Sequence, residues 1–215
     1  RWVATRVGFR RAPDLNVENR TYTYMTEGSF SEVYVEVSGK NVIKLRKAVQ
    51  FSVDDIKPLD LAGQAMMARA LNEGGSYLAA RSKLVSLDNA NVTILKKDGQ
   101  ASKAGGVALA EEVLRPLDQD ITRAIAFNDM KKVNRLLMEF VSLQKIIWKT
   151  GFFDSDAKFN NYGDTRDGRI VICDFDYLIP LKYDPTIISA EVLDAMLAGF
   201  IRALLGKNLS VLRNN

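Results

Sequence analysis

The sequence predicts an α+β fold, strand-rich in its first half and helical in its second. Three observations lead there. Between residues 21 and 45, β-branched and aromatic residues cluster in short runs (TYTY at 21–24, VYVEV at 33–37, VIKL at 42–45) separated by glycine turns. Residues 131–149 carry Val133, Leu136, Leu137, Phe140, Val141, Leu143, Ile146 and Ile147 near the i, i+3, i+4, i+7 spacing of a buried helix face. Finally, residues 151–176 read as turn, polar loop, short strand, tight turn and longer strand, closing on Asp174-Phe175-Asp176. A length of 215 residues allows one large domain or two small lobes around a proper core.

Composition narrows the function. With 47% hydrophobic and 26% charged residues, the chain is that of a globular protein. A net charge of +4 without any dense Lys/Arg run gives no groove for nucleic acid, so none is expected as a partner. No apolar run approaches the roughly 20 residues of a membrane span, and no signal-peptide pattern opens the sequence, so no membrane partner is expected either. Histidine is absent, which excludes His-based triads and His metal sites. The single cysteine, Cys173, cannot form an internal disulfide and lies in an apolar run, where a buried thiol is expected. Three Asn-x-Ser/Thr sites, at Asn19, Asn91 and Asn208, are expected by chance.

Taken in order, residues 1–20 are basic and broken by Pro13, and are expected as an arm or a first edge strand. Two strands follow, joined across the small Glu27-Gly28-Ser29 turn, and a third ends in Val42-Ile43-Lys44. The Ala/Met/Leu-rich stretch 59–84 is expected to be mostly helical, interrupted at Gly63 and Gly74-Gly75. Strands at 91–95 and 107–114 complete an expected five-stranded antiparallel sheet. Pro116 stops the last strand, and Asp118 or Asp120 is placed to cap the next helix. The long helix then runs to Gly151, a fitting C-cap. Asp167-Gly168 marks a hairpin turn ahead of the apolar run 169–173. That hairpin brings Asn161 and Asp174 to one end of the sheet. An amide and a carboxylate meeting there make a hard-oxygen site suited to Mg²⁺ held partly by phosphates.

Asp156, Lys158 and Asn161 followed by Asp174-Phe175-Asp176 resemble the protein-kinase catalytic loop and metal-binding strand, D-x-K-x-x-N and then D-F-G, with Asp176 in place of the glycine. The resemblance covers residues 21–180 or so and implies a two-lobed protein-kinase-like α+β fold, with an N-terminal lobe over 1–114 and a reduced, truncated C-terminal lobe over 115–215. It further implies ATP and Mg as cofactors. Gly28 and Ser29 would cover the phosphates, Lys44 would meet them, and Glu112 and Leu114 would offer hinge backbone to the adenine. Asp156 would orient the acceptor hydroxyl and take its proton, Lys158 would face the transferred group, and Asn161 and Asp174 would hold the metal. The family also places a carboxylate beside the lysine. Glu73 is the lone glutamate between Val37 and Ala110 and takes that role by elimination, with Asp54, Asp55 and Asp60 as poorer substitutes.

After Asp176 the sequence has 39 residues, with one amphipathic helix expected at 188–205 and no activation segment or Ala-Pro-Glu anchor. Asp154-Ser155 stands where the family carries His-Arg. This architecture is similar to the minimal kinases that pathogenic bacteria deliver by type III secretion, among them a plant-pathogen effector acting on the host ninety-kilodalton heat-shock chaperone. What it implies is a serine/threonine protein kinase, a virulence factor secreted into the host cytoplasm or else kept in the bacterial cytoplasm, monomeric, with a chaperone substrate. Three alternatives stay open: a small-molecule phosphotransferase of the aminoglycoside-kinase type, a pseudokinase acting as a binding module, and an altered chemistry on the same fold such as nucleotide transfer.

Two neighbouring aspartates compete for the central role, and spacing chooses Asp156. It has Lys at +2 and Asn at +5, whereas Asp154 has Asp at +2 and Asn only at +6. Asp154 then stands at the family's histidine position, and the resemblance implies that it braces the loop through hydrogen bonds. Asp156→Ala is expected to lose at least roughly 10²-fold in transfer rate while still binding Mg-ATP. Asp154→Ala is expected to lose less activity and more stability, and steady-state rates beside thermal melts check both.

Overall fold

The computed structural model describes residues 15–47, 59–75, 77–154, 156–165, 167–176 and 178–180. The arm at 1–14, Asp54 and Asp55, and the helix expected at 188–205 lie outside them.

Alternating side chains build the first lobe. Strands β1 (Thr21–Glu27), β2 (Ser31–Glu36) and β3 (Asn41–Arg46) form an antiparallel meander. Then come helix α1 (Leu61–Asn72) and strands β4 (Ser82–Ser86), β5 (Thr93–Leu95), β6 (Ala101–Lys103) and β7 (Val107–Glu112). The sheet has seven strands in the order β4-β7-β3-β2-β1-β5-β6, not the five expected. Two were hidden. β4 lies at the end of the stretch read as helical, and β6 is the short return arm of the hairpin turning at Gly99, whose φ is +81°. Nor is the sheet wholly antiparallel, because β5 returns beside β1 from across the lobe and pairs with it in parallel. Residues 15–20 are not a strand; Val17 is buried against the sheet core beside Tyr22, Tyr34, Ile43 and Val92.

Helix α1 is shorter than its sequence stretch. Asp60 caps it by accepting from the Gly63 N–H at 2.7 Å, and it ends at Asn72 before a single 3-10 turn, Glu73–Gly75. Its inner face, Ala68 and Leu71, belongs to the core of the second lobe. That lobe contains β8 (Arg115–Pro116), α2 (Leu117–Ala126), α3 (Met130–Lys149), β9 (Phe152–Asp154), β10 (Tyr162–Asp164), β11 (Ile170–Ile172) and β12 (Leu178–Pro180). Neither Asp118 nor Asp120 caps α2: Pro116 occupies that position, and both aspartates lie inside the first turn. Asp120 is instead buried among Arg115, Arg123 and Lys132. The long helix does follow its pattern. Val133, Leu136, Phe140, Leu143 and Ile147 face inward, and Gly151 stands just beyond its end at φ +88°.

The α+β fold class read from the sequence is the one observed: a curled sheet beside a mainly helical lobe, meeting at a cleft. Among the described residues two segments join the lobes. One is the link at 113–114 between β7 and β8. The other is 78–80, where the Ala80 N–H donates to the Ile172 carbonyl at 2.8 Å and the Ile172 N–H to that of Leu78 at 3.0 Å. No described helix is long and apolar enough to cross a membrane.

At the first junction the packing is close. A Cβ on Gly163 in β10 would lie 2.5 Å from Leu114 Cβ and 3.1 Å from the Arg115 carbonyl oxygen. Gly163→Ala is therefore expected to cost about 2 kcal/mol through overpacking, read as a lower denaturant midpoint at unchanged slope.

Candidate active site

The loop 156–161 hangs between α3 and the β10–β11 hairpin, and aromatic packing holds it there. Phe140 of α3 makes edge-on contacts with Tyr162 at 4.8 Å and with Phe159 at 5.2 Å between ring centroids. Asp154, 2% exposed, accepts hydrogen bonds from the Tyr162 hydroxyl and from the Asp156 N–H. Burial pushes its carboxyl up to about 6, against those two donors. Bracing of the loop, the part that the resemblance implies for Asp154, agrees with these bonds. Gly168 makes the hairpin turn at φ +84°, its N–H donating to the Thr165 carbonyl.

The hairpin delivers Asn161 and Asp174 to the same place. The carbonyl oxygen of Asn161 accepts from the N–H groups of Cys173, at 2.9 Å, and Asp174, at 3.3 Å. Its side-chain amide donates to the Asp156 carbonyl at 2.8 Å, which leaves Asn161 Oδ1 as a hard acceptor beside the Asp174 carboxylate. Lys158 Nζ lies 2.9 Å from Asp156 Oδ1 and 3.0 Å from Oδ2, so the two project from one side of the loop.

Above them a cleft of about 320 Å³ is lined by Gly28, Ser29, Lys44, Glu111, Glu112, Leu114, Asp156, Lys158, Asn161, Cys173, Asp174 and Asp176. Of the site residues read from the sequence, Glu73 is the one missing from this cleft. Glu73 caps the C-terminal end of α1 and lines a separate groove with Arg69, Arg81 and Leu84. The carboxylate beside Lys44 belongs to Glu111, at 2.9 Å. The register explains why. Val42 of β3 faces Glu111 of β7 and Lys44 faces Leu109, so Lys44 and Glu111 are diagonal neighbours on one face of the sheet. Sequence reasoning gave Glu111 no role. A charged residue closing the apolar run 107–110 was the available signal, since a buried carboxylate needs a cation.

Lys44 also donates to the Cys173 carbonyl at 2.5 Å, joining β3 to the loop after β11 that carries Asp174. Burial alone would push its pKa down, but the Glu111 and Asp174 carboxylates outweigh that and hold the ammonium well above its ordinary value. Cys173 is half-buried, and burial pushes its thiol up to about 12, so it stays protonated at neutral pH. Glu112 is engaged with Arg81, its Oε1 accepting from the Arg81 N–H at 2.9 Å and its own N–H donating to the Arg81 carbonyl at 3.0 Å.

The donor set suits Mg²⁺ of a particular kind. Asn161 and Asp174 could supply two oxygen ligands, and no cluster of three His, Cys, Asp or Glu occurs among the described residues. Such a pair binds a small divalent ion chiefly when phosphate oxygens complete the shell.

No family model matches the chain, and no curated protein does. Among solved structures it is similar to the ROP18 kinase domain in complex with AMP-PNP and sucrose, at 15% sequence identity and a TM-score of 0.48. That match covers 73% of this chain and 51% of the kinase domain, about half the latter's length.

The exchange of Glu73 for Glu111 has a measurable consequence. Removing one partner of a buried ion pair strands the other, so Glu111→Ala is expected to destabilise the fold by about 3 kcal/mol. Glu73→Ala, at an exposed helix end, is expected to stay within about 0.5 kcal/mol. Urea denaturation of both variants checks the order.

Proposed function

We propose that the chain is an ATP- and Mg-dependent phosphotransferase that moves the γ-phosphoryl group to a hydroxyl, most specifically the Ser/Thr hydroxyl of a protein. The observation that carries this reading is the convergence of Lys44, Asp156, Lys158, Asn161 and Asp174, drawn from both lobes, on one cleft. Phosphoryl transfer asks a protein mainly for positioning and charge stabilisation, and these five groups supply both.

In this reading the Gly28-Ser29 turn covers the phosphates with backbone N–H groups, and Lys44, kept charged by Glu111, binds the α- and β-phosphates. Asn161 and Asp174 hold Mg²⁺, which when bound neutralises phosphate charge. Asp156 accepts the proton of the acceptor hydroxyl as that oxygen bonds to the γ-phosphorus and the bond to the bridging oxygen of ADP breaks. Lys158 leaves its pairing with Asp156 to meet the charge on the transferred group. Residues 112–114 present backbone to the base. A host chaperone as acceptor and delivery by a bacterial secretion system belong to the same proposal, on the sequence resemblance alone.

The test is incubation with γ-labelled and, separately, α-labelled ATP together with eukaryotic lysate. Label on protein from the γ position alone is expected. No transfer from either position would leave a binding module, and transfer to small molecules alone would move the reading to an antibiotic-kinase type. Mg-ATP is expected to raise the melting temperature of the unaltered chain, because a ligand that binds only the native state stabilises it. Lys44→Met and Asp174→Ala are expected to lose that shift while remaining folded.

A further inference from the structure

Asp176, third residue of the acidic tripeptide, has no part in the chemistry above, yet three elements of the fold meet on it. Its side chain is 11% exposed. Oδ1 accepts from the Gln64 side-chain amide at 2.8 Å and from Arg46 at 3.2 Å. Gln64 belongs to α1 and is 1% exposed. Arg46 follows Lys44 by two residues on β3, and its guanidinium lies 5.2 Å from the ring centroid of Phe30, beside the Gly28-Ser29 turn. Toward the metal site, the Asp176 N–H donates to Asp174 Oδ1 at 3.2 Å. Phe175 between them is fully buried. Helix, strand and phosphate turn are thus linked to the carboxylate of Asp174 through a single residue, its side chain on one side and its backbone N–H on the other.

An Asp two residues from a metal-binding Asp invites a simpler reading, that Asp176 is another ligand. The contacts argue against it, because Oδ1 is already committed to a guanidinium and an amide. A glycine at this position would make neither bond. The arrangement has the form of an outer-shell support, in which a partner fixed by the fold orients a ligating group.

We propose that Asp176 is a positioning residue, which with Arg46 and Gln64 holds the 173–176 loop so that Asp174 faces Asn161 beneath the phosphate turn. Helix α1 acts on the metal-binding carboxylate through Gln64, while the lysine is held by the sheet. The inference rests on the reading that Asp174 binds Mg²⁺ with a nucleotide, so its test carries one readout that needs neither.

In the ligand-free chain, Asp176→Gly is expected to speed hydrogen exchange at the Asp174 and Leu178 amides about tenfold or more, with Ile43 and Ala110 in the sheet within about twofold of the parent. In ATP titrations, metal-free binding is expected to stay the same, while the Mg²⁺ concentration giving half-maximal binding enhancement rises about tenfold. Asp176→Asn, which keeps an acceptor for Gln64, is expected to fall between. Gln64→Leu, similar in volume and lacking the donor, carries the same expectation should the glycine variant fail to fold. Unchanged exchange at 174 and 178 overturns the proposal, as does faster exchange with an unaltered Mg²⁺ requirement. If the unaltered chain binds no ATP at any Mg²⁺ concentration, the phosphotransferase reading falls and metal positioning with it; the exchange data then show separately whether Asp176 clamps the loop.

Discussion

An ammonium group enclosed by a β-sheet needs an anion within reach, and the rest of the site depends on how that need is met. Lys44 is 12% exposed and Glu111 2% exposed, with 2.9 Å between them. Each would be costly to bury alone. Their pairing requires β3 and β7 to stand in the observed register, because a slip of one residue turns every side chain of a strand to the opposite face. The same lysine reaches the Cys173 carbonyl, so the sheet and the loop bearing Asp174 are aligned through one nitrogen. Strand β3 and that loop come from parts of the chain more than a hundred residues apart, and this is where they are joined.

The lower half of the site is built differently, from packing and neutral hydrogen bonds. Phe140 projects from α3 against Tyr162 and Phe159, on either side of Asn161. Tyr162 then donates to Asp154, which accepts from the backbone of Asp156 as well. A loop that carries an aspartate, a lysine and an asparagine is thereby fixed at both ends by side chains that take no part in binding. Burial of Phe175 adds about 2 kcal/mol of hydrophobic anchoring next to Asp174.

Much of this was legible in the sequence, and what was not has a common physical origin. Local signals carried well: the helical period of 131–149, the Asp167-Gly168 turn, and the spacing of Asp156, Lys158 and Asn161 all depend on neighbours a few residues apart. Contacts set by register did not carry. Choosing Glu111 over Glu73 required knowing which residues of β3 and β7 lie opposite, and nothing in either strand alone states that. Strand β4 was lost because Ser82–Ser86 has no strong alternation and begins within the Ala/Met/Leu-rich stretch 59–84. The parallel pairing of β1 with β5 depends on a long return path that leaves no local mark. Asp176 was legible as a departure from the family pattern, but its partners Arg46 and Gln64 lie 130 and 112 residues away.

The segment 78–80 limits how the two halves can breathe. Swinging the sheet away from the helices as a rigid jaw pivoting at 113–114 would pull this segment off β11, breaking both bonds between Leu78, Ala80 and Ile172. Each is worth about 1 kcal/mol and lies in an apolar setting where the freed groups find no water. Leu78, Ala79 and Ala80, all under 5% exposed, would be bared as well. The turn at 28–30 makes its backbone bonds within the β1–β2 hairpin and to the neighbouring Lys47, with the Phe30 ring under the Arg46 guanidinium. The bonds that resist parting of the walls thus lie at 78–80, while those named for the roof of the cleft come from the sheet itself.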